Sequence, residues 1–280
     1  MIDFKIRYAK EDEAGLVLDF IKMLAEYEKM SDDVVATEEL LCEWINKTAS
    51  YCRKYGADTI YYLDGHGGGG NVFEERMDPS LIKCSIPDWD NLLKDGKIDC
   101  LIELGSHARA GTIGGFLDHT ISSREWFRYT VDGKEYGELA LHAALCGAYN
   151  VPIAACIGDE TACLQAKEYI PEIVTGAVKK ASCRNLCEDY PNCDEIVEKA
   201  VQEALERYRA IPPYRVSLPA KVELTYYRTD MCEKAMQKAK CDFTRIDART
   251  LQKTVDQITC YADCRKKMRN KLLTVFWSAG

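Results

Sequence analysis

The stretch DTIYYLDGHGGGG (Asp58–Gly70) sets the fold class. Asp58–Leu63 is short, β-branched and aromatic, which reads as a buried strand. It ends in a turn of small residues carrying His66. IDCLIELGSH (Ile98–His107) repeats the design: an apolar strand, a Gly-Ser turn and His107. A third apolar run, VPIAACI (Val151–Ile157), ends at Gly158-Asp159-Glu160. Helical periodicity fills the intervals, over Ile45–Arg53, Trp89–Asp95 with Gly96 as its C-cap, Glu138–Ala148, Thr161–Glu168 and Cys193–Tyr208. Strands alternating with helices imply an α/β fold with a largely parallel sheet flanked by helices. If the first two strands pair, His66 and His107 are neighbours on one edge of that sheet, where catalytic loops collect.

Outward from this core, Trp126–Val131 and Glu135-Tyr136 flank Asp132-Gly133, a hairpin signal. Ile211–Tyr214 (IPPY) is the candidate joint, followed by a strand at Ala220–Tyr227 and a helix at Cys232–Lys240. The expected division is therefore an N-terminal segment 1–36, a metal-site α/β domain 37–210 and a second α/β domain 211–280. The tail from Thr250 to Leu273 reads as strand or helix, with Arg265–Lys271 as a solvated basic face.

The formal net charge of −8 argues against a nucleic-acid or anionic-membrane surface. No apolar run reaches bilayer length, and the charged start MIDFKIRYAKEDEAG is unlike a signal peptide, so a cytoplasmic location is expected. None of the 14 cysteines forms a C-x-x-C pair. In a reducing compartment they serve as small apolar side chains, with Cys183, Cys187 and Cys193 kept as a candidate functional group.

All four histidines, His66, His107, His119 and His142, fall within Asp64–His142. Two histidines and a carboxylate from separate elements make an economical zinc shell, and His66, His107 and Glu138 each stand at an element end. His119 would then be free for proton transfer or attack. The bland alternatives are satisfied structural histidines and, for Glu138, an acid stabilised by a helix N-terminus.

The motifs carry a resemblance. GADTIYYLDGHGGGGN, LIELGSHARAGTIGGFLDHT, VDGKEYGELALHAALCGAYNVPIAACIGDETA and FTRIDARTLQKTVDQITCYADCRKKM occur in the order found in zinc-dependent D-aminopeptidases of the dipeptide-operon (DppA) family. The resemblance covers more than four-fifths of the chain, from about Thr37 onward. It implies a metallo-aminopeptidase acting on short peptides with N-terminal D-amino acids, two zinc ions per subunit and a homo-oligomer, a decamer in that family. By motif, it implies His66, His107 and Glu138 as zinc ligands and His119 as the reacting group.

The N-terminus departs from this pattern. The family's first strand leads into D-x-E-G, whose acids complete the two-zinc site. Here FKIRYA is followed by Glu11, Asp12 and Glu13, and FKIRYAKEDEAGLVLDFIKMLAEYEKMSDDVVATEELL resembles the opening of GNAT acetyltransferases. The acetyl-CoA loop of that family is missing downstream, which disfavours acyl transfer. Two cations without a bridging carboxylate repel, so one zinc or none becomes an alternative to two. His142, one turn after Glu138, is a candidate substitute ligand. The competing function is a non-catalytic, oligomeric peptide-binding or assembly protein.

Overall fold

The computed structural model describes residues 38–65, 72–238, 243–256 and 274–278. The segment 1–36, His66 with the glycine run that follows it, and the basic run Arg265–Lys271 lie outside the described residues. In chain order the elements are α1 (Glu38–Lys54), β1 (Thr59–Leu63), β2 (Ile82–Lys83), α2 (Ile86–Lys94), β3 (Cys100–Ser106), β4 (Trp126–Val131), β5 (Lys134–Tyr136) and α3 (Glu138–Ala148). There follow β6 (Ile153–Asp159), α4 (Glu160–Tyr169), β7 (Val174–Cys183), β8 (Leu186–Asp189), α5 (Cys193–Arg207), β9 (Ala220–Tyr226), α6 (Thr229–Lys238), β10 (Thr244–Arg245), β11 (Thr250–Val255) and β12 (Thr274–Ser278).

The α/β class is as expected. Seven strands form one sheet in the order β2-β1-β12-β3-β6-β7-β8, and five form another in the order β10-β11-β9-β4-β5. The large sheet is mixed rather than largely parallel. β3, β6 and β7 run parallel, whereas β12 is antiparallel to both its neighbours and β8 is antiparallel to β7. β12 also separates β1 from β3, so the two histidine-bearing strands do not pair directly. The five-stranded sheet takes β4 and β5 from before Ile211 and β9, β10 and β11 from after it.

Every residue of β6 is buried, which is what a continuous apolar run adopts when both faces of a sheet are covered. Helices α4 and α5 both pack on β6 and β7. Ile153 and Ile157 are wholly enclosed there, each side chain contributing about 1.5–3 kcal/mol by burial. At the tip of β6, Gly158 lies against the backbone of Ser106, and a Cβ at that position would overlap it. The glycine is what lets β3 and β6 approach where their loops leave the sheet.

Helix α2 shows how local sequence sets an element's start. Ser85 caps it in a reciprocal capping box with Asp88, and Pro87 is tolerated in the first turn. Trp89 and Leu93, four apart, bury one face against the core. Gly96, at φ +63, takes the left-handed conformation just beyond its end.

Candidate metal centre

Three side chains converge at the tip of β3. His107 follows the strand immediately, after Gly105 turns the backbone at φ +78. Glu138 is the first residue of α3, with Gly137 as N-cap. His119 comes from the loop between β3 and β4, between two residues in left-handed conformation, Leu117 at φ +47 and Ile121 at φ +61. Non-glycine residues hold that conformation at a cost, and here backbone hydrogen bonds fix it. Leu117 N–H donates to Arg184 O at 2.7 Å, and Ile121 N–H donates to Glu138 Oε1 at 2.7 Å.

Ala108 O ties the histidines together. It accepts from His107 Nδ1 at 3.0 Å and from His119 N–H at 3.2 Å. Leu117 O accepts from His119 Nδ1 at 2.7 Å. Each carbonyl therefore fixes the proton on Nδ1 and leaves the Nε2 lone pair facing inward. The two rings stack at 3.9 Å between centroids and 15° between planes. Both Nε2 atoms face one carboxylate, His107 at 3.7 Å from Glu138 Oε2 and His119 at 3.6 Å from Glu138 Oε1.

Lone pairs aimed at an anion call for a cation between them. Ligands bound at zinc distances around a tetrahedral centre lie about 3.3–3.6 Å from one another, close to these gaps. The donor set of two imidazoles and a carboxylate fits the same ion. Among the described residues, these three form the group of histidine, cysteine and acidic side chains able to hold a metal.

Electrostatics divide the three. Burial alone would raise the Glu138 carboxyl, but its contact with His107 and the charges of His107, His119 and His142 hold it down at about 2. Burial disfavours charge on His107, yet Glu138 outweighs it and the His107 pKa is raised. His119 is lowered, by burial and then by the stacked His107.

Sequence reasoning located His107, His119 and Glu138, and the fold brings them together. His66 lies outside the described residues. His142 is fully buried and bonds through Nδ1 to Glu103 rather than joining the group, so its reading as a substitute ligand is corrected. Three neighbours were missed. Glu103 is an acid inside an otherwise apolar strand, a signal present in LIEL. Asp118 accepts from Gly111 N–H at 2.6 Å and pairs with Arg184 at 3.2 Å. Arg184 stands at the turn of the β7–β8 hairpin, which periodicity alone does not resolve. The described cysteines are free thiols, and most are buried. Among the described residues, no helix is long and apolar enough to cross a membrane.

A family model described as D-aminopeptidase, peptidase M55, matches residues 18–264. The match begins inside the run that resembles acetyltransferases. A D-aminopeptidase of Bacillus subtilis (strain 168) is 29% identical over 150 residues, which are 50% of this chain and 53% of that protein. The chain thus spans about half the length of this curated relative. A solved structure, the Zn-dependent D-aminopeptidase DppA from Bacillus subtilis, described as a self-compartmentalizing protease, aligns with a TM-score of 0.73 at 20% identity. The alignment covers 82% of this chain and 84% of that one, and it shows that the two share a fold.

Proposed function

Because this chain belongs to the peptidase M55 family of D-aminopeptidases, we propose that it is a zinc-dependent hydrolase releasing N-terminal D-amino acids from short peptides. The observation that carries the reading is the convergence of two inward-facing Nε2 atoms on the Glu138 carboxylate at 3.6 and 3.7 Å. His107 and Glu138 would hold the metal with His66, which the family motif adds; His119, whose Nε2 also faces the Glu138 carboxylate, is given the reacting role by the same motif. Zinc, when bound, supplies Lewis acidity at the scissile carbonyl.

The remaining work falls to the chain's own groups. Glu138 stays ionised through the neutral range and is oriented by the Ile121 amide. His119, its pKa lowered by burial and by the stacked His107, favours the neutral ring and presents its Nε2 for proton transfer or attack. Leu117 O keeps that tautomer in place. The self-compartmentalizing character of the solved relative supports self-association for this chain too, with a decamer as the specific expectation. A cytoplasmic location fits the unpaired, mostly buried thiols.

The test is metal content and turnover on one preparation. Zinc bound to the purified protein, with release of D-alanine from D-Ala-D-Ala-type peptides and little from the L-isomers, is expected. An intact oligomer with neither zinc nor turnover would overturn the reading in favour of a non-catalytic assembly protein.

A further inference from the structure

Beneath the three converging side chains lies a second polar pair that the chemistry does not use. Glu103, on β3, bonds through Oε1 to His142 Nδ1, on α3. His142 is 0% exposed and Glu103 5%. Ser106 Oγ donates to the other Glu103 oxygen at 3.2 Å, and the His142 ring meets Trp89 edge-on at 5.9 Å.

A buried acid–histidine pair is a poor way to gain stability, since well-packed apolar side chains of similar volume serve equally or better. Its value is direction. Apart from His142, Leu145 and Cys146, the buried positions of α3 are Ala140, Ala143, Ala144 and Gly147, small residues that add little to the helix's registration against the sheet. The bond from Glu103 to His142 pins the helix along and about its axis. It does so between the two elements that carry candidate ligands. Glu103 is four residues before His107, and His142 is one helical turn after Glu138. The groups it serves do not hold each other, since the His107–Glu138 and His119–Glu138 gaps exceed hydrogen-bond length.

We propose that Glu103 and His142 are positioning residues that fix α3 against β3, so that the gap around Glu138 is set at metal size before the metal arrives. This rests on the zinc reading above. Support shells of this kind commonly affect metal affinity by 10–100-fold.

The experiment is a competition titration of zinc against a chromogenic chelator, using full-length metal-free protein whose folding is checked by circular dichroism. His142→Leu and Glu103→Leu are expected to weaken zinc binding 10–100-fold while remaining folded, and the double variant should be no weaker than either single one. His142→Asn keeps a donor near the Nδ1 position and should recover most of the affinity. If a leucine variant does not fold, Glu103→Asp replaces it: the shortened carboxylate keeps its charge but cannot reach His142 Nδ1 from the same backbone, and zinc binding should weaken about tenfold, whereas unchanged affinity overturns the proposal. Wild-type affinity in the folded leucine variants overturns the proposal and leaves the zinc reading intact. A parent protein that takes up no zinc overturns that reading and the proposal with it.

Discussion

The segments around His107 and His119 are built alike and behave oppositely. In each, a backbone carbonyl holds the proton on Nδ1 and turns Nε2 toward Glu138. His107 follows a strand embedded in the sheet, and its pKa is raised, with burial opposed by Glu138. His119 sits in a loop fixed by Arg184 and by two left-handed residues, and its pKa is lowered. Stacked 3.9 Å apart, the rings cannot both carry charge cheaply. The same local arrangement thus yields two imidazoles whose pKa values move in opposite directions. Burial depresses both; at His107 the Glu138 carboxylate outweighs it, whereas at His119 burial and the stacked His107 prevail.

The largest effect should come from removing each ring. His107→Ala is expected to lose zinc and turnover together, whereas His119→Ala should keep zinc and lose about 10²–10⁴-fold in kcat. Zinc analysis beside kinetics decides it, and loss of metal in both variants would erase the distinction.

Next is the acid limb of stability in the metal-free protein. Glu138 is lowered from 4.5 to about 2, so its stabilisation is present above pH 4.5 and is lost as pH falls toward 2. That amounts to at most about 3 kcal/mol. The histidines act in opposite senses. His107, raised, contributes stability below its unfolded pKa and loses it as pH rises through the folded value. His119, lowered, favours the unfolded chain as pH falls, because the unfolded imidazole takes up the proton first. Denaturant midpoints across pH 2–8 should show the acid loss, and Glu138→Gln should flatten it.

Gly158→Ala comes third. The added Cβ would press on the Ser106 backbone beside His107, costing about 1–3 kcal/mol and displacing that ring rather than His119. A thermal midpoint unchanged from the parent would contradict the close approach of β3 and β6.

Arg184→Ala is the smallest. It removes the ion pair between half-exposed Arg184 and largely buried Asp118, worth about 1 kcal/mol. It should lower kcat several-fold through the His119 loop while leaving zinc affinity unchanged. A change in zinc affinity would show that the two segments are not independently held.

Much of this was legible in the chain. Apolar strands ending in small-residue turns announced the α/β class, and His107 and Glu138 at element ends, with His119 in a nearby loop, were read as site candidates that the fold brings together. Periodicity works for these because each element satisfies its own backbone and shows its buried face locally. Strand order was not legible, since pairing depends on partners distant in sequence. β12 enters between β1 and β3 from the far end of the chain, and β9 joins β4 across the IPPY joint. The β7–β8 hairpin, which supplies Arg184, was missed because its exposed edge mixes lysine, cysteine and serine without clean alternation.

The sequence by itself determined the kinds of chemistry available: imidazoles and a carboxylate placed where strands and a helix end, in an order that matches one family. Only the tertiary structure brought His107, His119 and Glu138 together. It stacked two histidines and moved their pKa values in opposite directions, and it withdrew His142 from the site into a bond with Glu103. The physical reason is that residue identity sets what a group can do, whereas burial and neighbouring charge, which exist only after folding, set its protonation and its reach.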